Sequence, residues 1–338
     1  MRDPRIDLLR FIGLIMIILA HCDPNPIIFQ IRNFDVPLMV LVSGMSFKLS
    51  FRKDINFSKY FWKRIKRLLF PVWIFLSLFF LSTPFIGFNF TPKKIITSYL
   101  LLDGIGFLWV IRVFLMIALI APFLIKIEQK YKSTLKLFLS LIVAFLGYEI
   151  FTKISYNYFQ STLILKTISS IIYYIIPYSI VYIFGIRLYS ITKKNILKIS
   201  LFFLLILITT GISLFLEKNR FVPTQLYKYP LSTYYLSYAL FLSLIVWTIS
   251  DAIWDNIHQK IKAIILFMAS NSIWIYLWHI PLIFIIKHTH FHFSLEYLFV
   301  ILTSTTITFV QIKTLENFIL PKIKTEKIKK NIRILFTG

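Results

Sequence analysis

Residues 5–21 read RIDLLRFIGLIMIILAH, an apolar run with two groups that hydrocarbon rejects, Arg10 near its start and His21 at its end. At about 100° and 1.5 Å per residue, eleven positions bring them about 20° apart around a helix and about 16 Å apart along it. One face of one membrane helix is thus expected to carry a permanent cation at one level and a titratable imidazole at another. A charge at mid-bilayer costs about 3 kcal/mol, so such groups mark functional sites by default. The plainer alternative is that Arg10 snorkels to the near interface and His21 is a boundary residue.

The same apolar texture recurs along all 338 residues. The chain is 58% hydrophobic and 15% charged, with a mean hydropathy of +0.76. Soluble domains carry about 25% charged residues. Runs of about 15–22 apolar residues predict an all-α, polytopic membrane helical bundle. A transmembrane barrel would show short alternating strands, and the sequence has none. Ten spans are expected, at about 6–22, 34–51, 68–87, 105–126, 135–151, 169–189, 196–216, 231–250, 262–286 and 295–320. They form a single integral membrane domain over 1–338, with no soluble domain before, between or after them.

The net charge of +24 does not point to nucleic acid, because the basic residues lie in loops rather than on one soluble face. With the N terminus inside, 26 of the 38 Lys and Arg fall on the inner side and 9 on the outer. That bias predicts an N-in, C-in chain. His21 then lies near the outer face and Arg10 in the inner half. The only cysteine, Cys22, excludes an intrachain disulfide.

Several further residues carry chemistry. Asp35, two residues before Pro37 at the outer end of the second span, can orient an imidazole or cap its helix. Lys63, Arg64, Lys66 and Arg67 form the densest cationic stretch. They suit either anionic lipid or a phosphorylated cytoplasmic ligand. Arg64 and Arg67, at i and i+3, share a face and can clamp one phosphate. Trp109 reads as an interface aromatic at the fourth span. In SNSIWIYLWHIPLIF, His279 is deep in an apolar run with Tyr276 one turn earlier and Pro281 as a kink. His288, His290 and His292 alternate, but without a neighbouring Cys or Asp they predict no metal site. Tyr227, Tyr229, Tyr234 and Tyr235 form an aromatic outer segment suited to a sugar or to a membrane belt. No nucleophile elbow, phosphate loop or dinucleotide fingerprint occurs.

Taken together these stretches resemble the acyltransferase-3 family of integral membrane proteins. The resemblance rests on Arg10 and His21 at family spacing, NFDVPLMVLVSG, KRIKRLLFP, FLWVIRVFLMIALIAP, YKYPLSTYY and NSIWIYLWHIPL, in that order. Asp35 stands where many relatives carry His, and Met39 where an aromatic is usual. The resemblance implies a membrane-bound O-acyltransferase of the surface polysaccharide O-acetyltransferase type. Such a protein moves an acyl group, often acetyl, from cytoplasmic acyl-CoA to a hydroxyl of a cell-surface or lipid-linked glycan at the outer face. It implies His21 and Arg10 as catalytic residues. Asp35, Arg64, Arg67, Trp109, Tyr276 and His279 are the candidate substrate-binding residues. It also implies acyl-CoA (acetyl-CoA) as donor without a metal, membrane lipids as surroundings, and a bacterial inner-membrane location. His21 can act as a general base or take the acyl group covalently. The rival class is a transporter or flippase of a glycan or acylated precursor.

Overall fold

The structure is a computed structural model and describes residues 3–51, 56–102, 104–287 and 291–337. Fifteen α-helices and short 3-10 and π turns occur among the described residues, and no strand does. In chain order the helices are α1 (Pro4–Leu19), α2 (Pro26–Ile31), α3 (Asp35–Ser50), α4 (Phe57–Leu68), α5 (Phe70–Ser82), α6 (Pro92–Tyr99), α7 (Trp109–Gln129) and α8 (Thr134–Phe159). They continue as α9 (Leu163–Leu188), α10 (Lys193–Lys218), α11 (Thr233–Asn256), α12 (Gln259–Ser270), α13 (Ser272–Ile286), α14 (Phe293–Thr314) and α15 (Glu326–Thr337).

Eight stretches are long and apolar enough to cross a membrane, or nine if the bent pair α12–α13 forms one span. Ten were expected, and the difference lies at the first. α1 has 16 residues. At 1.5 Å per residue that is about 24 Å, short of the about 30 Å hydrocarbon core. It ends where its hydrogen bonds tighten. His21 and Cys22 donate three residues back, to Ile18 and Leu19, at 3.0 and 3.2 Å. Asp23 then takes a left-handed φ of 44°, and Asn25 caps α2 by accepting from Ile28 at 3.0 Å. His21 therefore sits in a turn, and the helical phase extrapolated from Arg10 does not set its direction.

The ninth expected span, 262–286, is broken. α12 and α13 meet at an angle of 82° across Asn271. The Asn271 side chain donates to the Phe267 carbonyl at 2.8 Å, and the Asn271 backbone amide donates to the same carbonyl at 3.1 Å, so the last turn of α12 stays hydrogen-bonded at the break.

The chain divides into two compact units. The first holds Met1–Gly13, Asn25–Asp54 and Ile120–His258. Its interior is built on α3 against α9. Gly44 faces the Tyr182 carbonyl and Gly185 the Leu41 carbonyl so closely that either would overlap an added β-carbon. Small residues at a crossing let two backbones touch where no hydrophobic force drives helices together. α10 pairs with α11 and otherwise presents Leu201, Leu205, Ile208, Ile212 and Phe215 outward, an apolar face suited to lipid. Arg187 and Lys48 converge on buried Glu128, with Arg187 Nε donating at 2.5 Å and Lys48 Nζ at 3.3 Å.

The second unit holds Leu14–Pro24, Ile55–Leu119 and Gln259–Gly338. α13 is its axis and packs on α14 and α5. Basic α4 and α15 pack together, with Lys66 Nζ donating to Asn331 at 3.3 Å. α15 is tied to α13: Trp274 Nε1 donates to the Leu335 carbonyl at 3.0 Å and its ring stacks on Phe336, 5.8 Å between centroids. Gln311 of α14 accepts from Trp278 Nε1 and donates to the Phe336 carbonyl, both at 2.8 Å.

Candidate active site

The second unit brings three of the expected residues together. His21 is half-buried, His279 has no exposed surface, and Tyr276 is buried. Nδ1 of His279 bonds the Tyr276 carbonyl, one turn back on the same helix. A carbonyl only accepts, so His279 donates from Nδ1 and its Nε2 carries the lone pair. Nδ1 of His21 lies 2.9 Å from that Nε2. His21 is therefore the donor there, and its own lone pair stays on Nε2. A backbone carbonyl thus sets one tautomer, which sets the next, as second partners do for catalytic and metal-bound imidazoles.

Aromatic rings hold the pair. Phe107 meets His21 edge-on at 4.7 Å and His279 at 5.8 Å. It rides on the turn Gly106–Leu108, pinned by Ser98 Oγ accepting from Ile105 N at 3.0 Å. The Tyr276 hydroxyl donates to the Phe107 carbonyl at 2.5 Å. Trp109 opens α7 directly after this turn and is half-buried.

His21 also lines a cavity of about 390 Å³ with Cys22, Asp23, Ile283, Ile286, Lys287, Phe291, Phe293 and Glu296. Cys22 beside a histidine invites comparison with a Cys–His nucleophile. Its thiol instead donates to the Ile18 carbonyl, at 3.6 Å. Burial pushes that thiol up to about 12, and the Glu296 and Asp23 carboxylates add to the shift. A thiol so disposed stays protonated and is a poor nucleophile.

Arg10 and Asp35 belong to the first unit, each with its own partners. Arg10 donates to Asp7 at 2.9 Å and to Ser46 Oγ at 2.6 Å. Asp35 is buried at the start of α3. It accepts from Arg32 at 2.7 Å, from the Val36 amide at 2.7 Å and from Lys228 Nζ at 3.5 Å. Burial pulls the Lys228 ammonium below the usual lysine range, against the attraction of Asp35. Of the outer tyrosines, Tyr234 and Tyr235 are buried, and Tyr234 donates to the Val222 carbonyl at 2.8 Å.

On α4, Arg64 lies half-buried over the Tyr60 ring, 4.9 Å from its centre, while Arg67 is exposed. His288 and His290 lie outside the described residues. His292 caps α14. Among the described residues no group of three or more His, Cys, Asp or Glu has the geometry to hold a metal ion.

Sequence reasoning left Asp7, Arg32, Lys228, Phe107, Asp23 and Glu296 unassigned. Asp7 was findable, three residues before Arg10 on one helix face. Arg32 was findable likewise, three before Asp35. Nothing in the spacing signals Phe107 or Glu296.

A family model described as an acyltransferase domain matches residues 3–312. The chain belongs to the acyltransferase-3 family. It is a multi-pass membrane acyltransferase. Neither a curated protein nor a solved structure matches it. In this acyltransferase the paired imidazoles form the most chemically suggestive cluster among the described residues. One ring with an oriented lone pair, backed by a buried second ring, is the apparatus of general base catalysis.

Proposed function

We propose that this acyltransferase moves an acetyl group from cytoplasmic acetyl-CoA to a hydroxyl of a cell-surface or lipid-linked glycan at the outer face of a bacterial inner membrane. The observation that carries the reading is the hydrogen-bonded sequence His21, His279, Tyr276 carbonyl. His21 Nε2 takes the proton from the acceptor hydroxyl as its oxygen attacks the thioester carbonyl. The tetrahedral intermediate collapses, an oxygen ester forms and the carbon–sulfur bond breaks. The departing CoA thiolate receives the proton from His21. His279 positions His21 and supports the imidazolium through the same hydrogen bond, as the third member of a triad does.

Arg64 and Arg67 recognise the CoA phosphates, because guanidinium forks suit bidentate phosphate contact. Arg10 serves donor use, as the family resemblance implies. α4 faces the cytoplasm, in keeping with the loop charges.

The test is transfer from labelled acetyl-CoA to host surface glycan in membranes bearing the wild type or His21→Ala at matched levels, read by mass spectrometry. Label with the wild type alone is expected. Equal label with both removes His21 from the chemistry. A transporter releases no free CoA in an acceptor-dependent way, so CoA release without label transfer also counts against the reading.

A further inference from the structure

We infer that the cavity beside His21 is the acceptor subsite, and that it takes the uncharged, hydroxyl-bearing ring of a terminal sugar and rejects anionic ones. The inference rests on the proposed glycan acylation and says which acceptors that reaction accepts and which residues choose them. It moves acceptor choice away from Tyr227, Tyr229, Tyr234 and Tyr235.

The walls divide by chemistry. His21 forms one side, and its lone pair on Nε2 requires an acceptor proton within hydrogen-bond reach. Phe291 and Phe293 line the same space. A pyranose has one apolar face of C–H bonds, which packs on such rings, and an equatorial rim of hydroxyls. Asp23 and Glu296 supply carboxylates, which only accept hydrogen bonds when ionised and so suit hydroxyl donors. Among the described lining residues are two carboxylates and one ammonium, Lys287. A phosphate or uronate entering there meets more negative than positive charge among the described lining residues. About 390 Å³ lies at the small end of ligand cavities, about 300–1,000 Å³. It admits a terminal residue rather than a length of chain.

Asp23 lines this space from a turn. It holds φ at 44°, a conformation costly for residues with a β-carbon and tolerated best by Asn, Asp and Gly. The backbone turns there two residues after His21, and the residue placed at that turn lines the same cavity.

The experiment uses the full chain in detergent or proteoliposomes with acetyl-CoA and p-nitrophenyl glycosides as probes: neutral hexosides, N-acetylhexosaminides and hexuronides. The wild type should acetylate the neutral probes and not the hexuronides. Asp23→Asn keeps the left-handed turn, and Glu296→Gln keeps the side-chain length. Each should raise acceptor KM about tenfold, the worth of a charge-assisted hydrogen bond, and leave the KM for acetyl-CoA unchanged. The double variant should lose its discrimination against hexuronides.

Binding is read independently of turnover by Tm, which a neutral hexoside should raise for the wild type and not for Glu296→Gln. His21-dependent transfer with acceptor KM unchanged in both variants overturns the subsite and leaves the proposed function standing. No transfer by any variant, with Tm raised by neutral hexosides, overturns the function and keeps the subsite. Transfer to hexuronides equal to hexosides, or no Tm response to any glycoside, overturns the inference.

Discussion

The imidazole of His21 lies nearly parallel to that of His279, with 15° between the planes and 5.0 Å between the centroids. Two rings 258 residues apart in the chain are joined by one hydrogen bond. Among the described residues the buried ring bonds a carbonyl on one side and the half-buried ring on the other, so the pair has a direction. The hydrogen bonds run from His21 through His279 to a backbone carbonyl on α13.

That direction predicts how substitutions at 279 rank. His279→Ala removes the partner of His21 Nδ1 and frees its tautomer. The transfer rate should fall on the order of 10²-fold, with a smaller change in acceptor KM. His279→Gln, which can still accept a hydrogen bond, should retain more activity than the alanine variant. Steady-state transfer assays with matched expression decide it, and equal rates for both variants would remove the positioning role.

Gly44 and Gly185 meet the opposing backbone with no room for a β-carbon. Gly44→Ala or Gly185→Ala should force α3 and α9 apart and cost about 1–3 kcal/mol. The expected readout is a lowered Tm of the purified chain. Gly147, with open space around it, is the control: Gly147→Ala should leave Tm unchanged or slightly raised.

Asp35 is the only carboxylate bonded to both Arg32 and Lys228 among the described residues. Asp35→Asn leaves two buried cations facing each other and should destabilise the first unit by about 3–5 kcal/mol. Adding Lys228→Met should recover part of that loss. A double-variant cycle on Tm measures the coupling, and additive losses would show that the pair contributes nothing jointly.

Cys22 makes a prediction about pH. Its thiol is raised from an ordinary 9.0 to about 12 in the folded chain, chiefly by burial. The folded form keeps its proton where the unfolded form has lost it. Stability from this group is therefore fully present below about pH 9 and falls as pH rises from there toward 12. Iodoacetamide labelling of Cys22 should keep accelerating through that window, while a free thiol levels off above 9. A plateau at 9 would mean that the thiol is not withdrawn from water.

The sequence displays individual chemical oddities far better than it displays their partners. Arg10, His21 and His279 stand out because charge or imidazole in an apolar run is costly. Asp35 stands out likewise, but its attachment to Lys228 joins positions 193 apart, and no local pattern encodes that closure. The helical phase from Arg10 to His21 assumes an unbroken helix, and the turn after Leu19 interrupts it. The 82° break at Asn271 leaves only a faint trace, Ser270-Asn271-Ser272 inside an otherwise apolar run. Hydropathy averages over such a window and reads one span. Phe107 is invisible because one phenylalanine among 35 carries no distinguishing chemistry.

The tie between α13 and α15 bears on the order of events at the ribosome. His21 emerges hundreds of residues before its partner, and Trp274 on His279's own helix waits for Leu335 and Phe336 to close over it. During most of synthesis the nascent chain has an imidazole without its counterpart. A product interrupted before α15 carries both histidines but lacks the brace for the helix bearing the second. The brace on the helix that bears His279 is thus among the last segments of the described chain to leave the ribosome.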